Sequence, residues 1–308
     1  MPDWPTTFGY NMFLFPISKW IGGIFFEHIH RLIASVVGFL TIILAVWLGV
    51  SEKRRWVRNL GYAALGAVVL QGVLGGLRVT LLKDEIGIFH ACLAQGFFAM
   101  LIVISLVTSP FWQRLSFATI KAKHARMLAW VAIVTSAIIY AQLALGATMR
   151  HQHRDLSILD FPTSYGKIIP NVSPKNLAAI NAWRDARALS DVTAFQIWLQ
   201  MAHRFVALII AAGIIASLFL IRARASGFVA LARLSNLWAF LLAGQITLGA
   251  WTIWSNKAAD IATAHVAVGA TMLAFGVAIS AICLRLAQRK KSAEPIYQSL
   301  VREGATAL

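Results

Sequence analysis

Asp3-Trp4-Pro5-Thr6-Thr7-Phe8-Gly9 returns as Asp160-Phe161-Pro162-Thr163-Ser164-Tyr165-Gly166, and that recurrence decides how the rest of the chain is read. The doubling continues downstream. His30, Gln71 and His90 are spaced by 41 and 19 residues, and His203, Gln245 and His265 by 42 and 20. Each glutamine opens a similar phrase, Gln71-Gly72-Val73-Leu74-Gly75-Gly76 in the first copy and Gln245-Ile246-Thr247-Leu248-Gly249-Ala250 in the second. The chain is an internal duplication that carries two histidines per copy at matched places.

Between these landmarks the sequence is too apolar for a water-soluble domain. Hydrophobic residues make up 59% of the 308 positions and charged residues 13%, against roughly 25% charged in soluble proteins. Seven apolar runs, at about 25–50, 59–81, 87–108, 127–148, 196–221, 234–254 and 261–286, are each long enough to cross a hydrocarbon core roughly 30 Å thick. The fold class is therefore an all-α polytopic membrane protein. Its net charge of +16 could suggest nucleic acid, but the basic residues are distributed otherwise. Segments 51–58, 109–127 and 222–233, with the tail from Arg285, hold 16 of the 28 Lys and Arg and 3 of the 12 Asp and Glu. That is +13 on one side against +3 on the other, which places the first set in the cytoplasm of a cell with an inner (plasma) membrane. The C-terminus is then cytoplasmic and the residues near Met1 are external.

The organisation follows from the repeat. Residues 1–24 form an external loop, 25–108 an N-terminal half-bundle, 109–126 a cytoplasmic connection, 127–286 a C-terminal half-bundle with an external loop at 149–195, and 287–308 a cytoplasmic tail. The second copy has a helix, 127–148 with its own Gln142-Leu143-Ala144-Leu145-Gly146-Ala147 phrase, ahead of its Asp160 loop. The first copy therefore predicts an equivalent helix ahead of Asp3, and so an eight-helix fold of two four-helix halves with seven helices in this chain. A genuine seven-helix protein is the alternative. Within the long loop, Pro174 to Leu189 reads as a short surface helix with Ser173 as N-cap. The shared Asp-aromatic-Pro motif marks both external segments as ordered lids. Neither Cys92 nor Cys283 belongs to a disulfide framework or a covalent haem attachment motif.

His30, His90, His203 and His265 all open helices that run from outside to inside, so they share one depth near the outer surface. Imidazole is a good axial ligand for haem iron, and facing helices of a bundle can supply two. Zinc competes for the same side chains, but a structural zinc site collects three or four ligands. Pairs repeated in two copies suit two haem sites better. The copies differ at one place: Glu27-His28-Ile29-His30-Arg31 answers to Gln200-Met201-Ala202-His203-Arg204. A carboxylate at membrane depth is a functional candidate. An ion pair with Arg31 is the alternative, and the persistence of Arg204 without a carboxylate argues against it. The first half then reads as the reacting site and the second as the resident cofactor site. Arg31 and Arg204 suit haem propionates, with snorkelling to the interface as the competing role. Gln71, Gln142 and Gln245 need partners inside the bundle, either helix or ligand. His28 points away from His30, and His151 and His153 read as solvated loop residues.

In their order and spacing, Pro2-Asp3-Trp4-Pro5, Glu27-His28-Ile29-His30-Arg31, His90, His203-Arg204 and His265 resemble haem A synthase, and the resemblance covers nearly the whole chain. It implies an oxidoreductase of haem A biosynthesis that converts a ring methyl of haem O to a formyl group for cytochrome oxidase. It also implies a haem b cofactor on His203 and His265, with Arg204 nearby. Substrate haem O would lie on His30 and His90 with Arg31, and Glu27 would be the catalytic group. Haem O synthase (protohaem farnesyltransferase), an electron donor of unspecified kind and the lipid bilayer are the implied partners; nucleic acid is not, and a homo-oligomer is left open. The family's external cysteine pair, present in some members, has no counterpart here. A diheme electron-transfer cytochrome and a haem transporter or chaperone are the competing readings.

Overall fold

The structure, a computed structural model, describes residues 3–115, 120–152 and 156–288, the side chains of 151 and 152 aside. His153, the side chain of His151 and the tail from residue 289 lie outside the described residues. Two 3-10 turns, Met12–Leu14 and Ile17–Lys19, precede α1 (Gly22–Ser51), α2 (Arg55–Leu81) and α3 (Asp84–Thr108). Then come α4 (Pro110–Arg114), α5 (Ala122–Gln152), α6 (Pro174–Asp185), α7 (Ala194–Arg224), α8 (Val229–Trp254) and α9 (Ala259–Ala287). Seven of these are long and apolar enough to span a membrane, and they coincide with the seven apolar runs. At 1.5 Å per residue the 30 residues of α1 measure about 45 Å, so its ends reach beyond the hydrocarbon.

Local chemistry sets the helix boundaries. Thr193 and Gln196 close a capping box at the start of α7. Ser109 caps the short α4 ahead of Pro110. The surface helix stops at Asp185, short of the expected Leu189, because the chain turns there and Ala188 takes a positive φ of 54°. Ser173 occupies the N-cap position without a side-chain cap bond; its own N–H goes to Asn171 Oδ1.

The two copies are packed unequally. In the second, α5 lies against both α7 and α9, while α8 lies against α7 and α9. Two glycines make the α5 crossings tight. A Cβ on Gly213 would strike Thr135, and one on Gly276 would strike Ser136 and come within 2.9 Å of Trp238. The large buried cluster belongs mainly to this copy, with Leu128, Ile214, Leu231, Trp238 and Ile279 among its members. In the first copy α2 lies between α1 and α3, around a small cluster of Leu48, Val57, Ala64, Ile104 and Val107. Helix α9 buries ten residues where its repeat partner α3 buries three. The copies are joined through α3, which packs on both α5 and α9. There the Tyr140 hydroxyl donates to the Cys92 carbonyl at 3.1 Å.

Candidate functional site

The two Asp-aromatic-Pro loops fold alike. Each has a cis X-Pro bond, Trp4-Pro5 or Phe161-Pro162. Each closes on a bridge, Thr7 with Tyr10 or Ser164 with Lys167. Each turns through a left-handed aromatic and a glycine, Phe8-Gly9 or Tyr165-Gly166. An aspartate organises the turn. Asp3 Oδ2 accepts the Thr6 hydroxyl at 2.7 Å and the Gly9 N–H at 3.0 Å, and Asp160 does the same with Thr163 and Gly166. The Gly9 N–H, followed by the Thr6 hydroxyl and the Phe8 N–H, holds the Asp3 carboxyl at a pKa of about 2 against the opposing effect of burial. Burial pushes Asp160 upward, and the Gly166 N–H, Thr163 hydroxyl and Tyr165 N–H outweigh it, leaving that carboxyl below its ordinary value.

The arginine beside each outer histidine fastens the loop. Arg31 donates to the carbonyls of Thr6 at 2.9 Å and Asp3 at 3.1 Å. Arg204 donates to those of Thr163 at 2.8 Å and Asp160 at 2.7 Å. The donors expected to meet propionates are thus placed on lid backbone, with Arg204 Nε left buried and unpaired. The first lid also rests on the helices: the Trp4 indole lies on Gly76 so closely that a Cβ there would come within 2.5 Å of the ring. The second copy pairs a smaller ring, Phe161, with Ala250 at these positions. Gly76→Ala therefore unseats the first lid, at about 1–3 kcal/mol for an overpacked contact, and Trp4→Phe in the same chain restores it. Hydrogen exchange at the Thr7 and Tyr10 amides reads both outcomes.

Three histidines sit in matching cradles. Gly75 lies against His90, Gly146 against His203 and Gly249 against His265; a Cβ would stand 3.2, 3.5 and 3.1 Å from the respective ring Cε1. One turn earlier on the same helix comes the glutamine. Gln71 donates to the His90 carbonyl at 3.0 Å and Gln142 to the His203 carbonyl at 2.7 Å, while the Gln245 amide lies 3.5 Å from the His265 ring. Such inter-helix bonds contribute about 0.6–2 kcal/mol each in a membrane. The sequence left open whether the glutamines meet a helix or a ligand; they, and the glycine one turn later, meet the histidine of a neighbouring helix.

The residues fit an iron porphyrin. The His30 and His90 ring centres are 6.4 Å apart. Two imidazoles on one metal, with bonds near 2 Å and roughly 1 Å more to each ring centre, require roughly 6 Å. The Nδ1 atoms of His90, His203 and His265 are buried without a protein partner. Among the described residues no three His, Cys, Asp or Glu side chains converge on a metal-sized site.

Glu27 requires a correction. Its carboxylate accepts from Arg31 at 2.9 Å, forming the ion pair that the repeat argued against. The physical reason is that lid carbonyls suffice to hold Arg204, so the persistence of that arginine says nothing about the pair. Glu27 also lines an open groove of about 580 Å³ with Ile21, Gly22, Gly23 and Ile24. Its counterpart Gln200 is buried and uses both ends of its amide on Ile158, accepting the N–H and donating to the carbonyl, each at 2.9 Å. His28 is buried against Phe15 and Trp20. Arg184, fully buried, ties Leu156 and Ser190 together through their carbonyls, beside the Tyr165 hydroxyl that donates to Ser157. Nothing in the one-dimensional pattern marked Arg184, because its partners are backbone atoms remote in sequence.

The family model described as COX15-CtaA, cytochrome oxidase assembly protein, matches residues 7–277. Similar proteins carry the name Heme A synthase. The one from Alkalihalophilus pseudofirmus is 25% identical over 171 residues, covering 55% of each chain. That from Shouchella clausii is 25% identical over 230 residues, 73% of this chain and 74% of the relative. That from Exiguobacterium sp. is 22% identical over 265 residues, 85% of this chain and 76% of the relative. The matched stretch thus spans about half the length of the first relative and about three quarters of the other two.

Proposed function

The chain belongs to the COX15-CtaA family of cytochrome oxidase assembly proteins, and we propose that it is a membrane oxidoreductase that oxidises a ring methyl of haem O to the formyl group of haem A. The observation that carries this reading is an acid beside only one of two histidine pairs: Glu27 lies one turn before His30, whose ring centre is 6.4 Å from that of His90.

In this reading His203 and His265 hold a resident haem b, which supplies one-electron redox chemistry when bound. The chain's own residues do the remaining work. His30 and His90 grip the iron of the substrate and fix its ring relative to α1. Gly75 lies against the imidazole of His90 and Gln71 holds the backbone carbonyl of the same residue, which fixes where the ring stands. Glu27, at the edge of a groove, is placed to accept or return a proton as the methyl carbon is oxidised in successive hydroxylations with loss of water. The lids shield the outer ends of both pairs.

In this reading the histidines lie near the outer face of the plasma membrane and the C-terminus in the cytoplasm, which the distribution of basic connections supports. Haem O synthase is the natural neighbour, since it makes the substrate. The test is expression with a source of haem O followed by pigment extraction. Haem A or a hydroxylated intermediate is expected; recovery of haem O alone overturns the proposal.

A further inference from the structure

The two lids are built alike, but their latches are wired differently. The Arg204 guanidinium reaches the carbonyls of Asp160 and Thr163, and the residue at the position of the acid, Gln200, is committed elsewhere, to Ile158. The Arg31 guanidinium reaches the matching carbonyls of Asp3 and Thr6 and, through the same NH2 that contacts Asp3, the Glu27 carboxylate at 2.9 Å. The Arg31 side chain is 9% exposed and that of Glu27 is 33% exposed. A planar fork with several fixed donors can hold acceptors on different elements at once, which a lysine ammonium on a flexible stem does poorly.

We propose that Arg31 is a positioning residue that joins closure of the first lid to the placement of Glu27. With residues 3–10 seated, two backbone carbonyls orient the guanidinium, and that orientation sets where its remaining contact holds the acid. When the lid lifts, the same arginine loses its two fixed acceptors and the carboxylate loses a fixed partner. The second lid has no such link, because the residue at the position of Glu27 is Gln200, whose amide is committed to Ile158. The acid of the reacting half is thus set in place only under a closed cover, while the resident half needs only a cover. This rests on the reading of Glu27 given above and gives the Glu27–Arg31 ion pair a purpose beyond fastening the helix.

The test compares purified full chains carrying Arg31→Ala, Arg31→Lys, Glu27→Gln, Arg31→Ala with Glu27→Gln, and Arg204→Ala as the matched control. Hydrogen exchange follows the Thr7, Gly9 and Tyr10 amides against those of Ser164, Gly166 and Lys167. Haem A formed per bound haem O is measured in parallel. Arg31→Ala is expected to deprotect the first set alone and to lower turnover 10- to 100-fold or more, at roughly the scale of outer-shell losses. Arg31→Lys recovers part of the rate and none of the protection. Arg204→Ala deprotects the second set alone. In the Glu27→Gln background, Arg31→Ala costs less than about twofold, since the acid it positions is already gone. The proposal is overturned if the first lid stays protected in Arg31→Ala, or if the loss is equally large in both backgrounds, which would mean that Arg31 acts on the substrate by itself. Full turnover by Glu27→Gln overturns the functional reading and the coupling with it, whereas unchanged protection overturns the coupling alone.

Discussion

His203→Ala is expected to yield protein without the b-type pigment proposed for the second copy, and His30→Ala to retain it. The expectation comes from the two pairs being held differently. His203 sits on Gly146 and under Gln142, and its partner His265 on Gly249 beside Gln245. Those contacts belong to the copy whose helices enclose the larger core. Removing an axial imidazole from such a preset pair costs more than the 10- to 100-fold that outer-shell changes typically cost at metal sites. Alanine offers no substitute donor, so the loss appears as absence of the Soret and pyridine haemochrome signals. Retention of pigment in His203→Ala with its loss in His30→Ala would reverse the assignment of the halves.

Glu27→Gln is expected to leave the pigment content unchanged and to lower haem A formation by about 10²–10⁴-fold, the usual range for a positioned proton-transfer group. Glutamine preserves size and can still accept from Arg31, so the lid stays seated and the chemistry alone is probed. An electron-transfer cytochrome with the same four histidines would be indifferent to the change. Pigment extraction after supply of haem O separates the two cases, and wild-type yield from Glu27→Gln would refute the enzymatic role.

The helices were legible because the bilayer imposes a length and a composition on each span. The histidine pairs were legible because a duplication displays every such residue twice. What the chain did not disclose was the destination of polar groups whose partners are backbone. Arg31 and Arg204 were read as reaching for a ligand, since guanidinium so often binds carboxylate; the lid carbonyls of Asp3 and Thr6, or Asp160 and Thr163, carry no side-chain signature that would have shown otherwise. The same blindness led the comparison of Glu27 with Gln200 to argue against an ion pair that forms. Arg184 went unremarked for a related reason, being a cation folded into a loop and anchored to carbonyls. The glycine and glutamine phrases were noticed but not decoded, because only three-dimensional placement shows that both sit behind a histidine on the next helix.

The unequal packing of the repeats bears on how such a molecule can evolve. Crossings as close as Gly213 against Thr135 and Gly276 against Ser136 leave no room at those positions for a larger side chain. A doubled gene of this form can carry an acid in one copy, as at Glu27, while the matching place in the other, Gln200, keeps its own tightly held role.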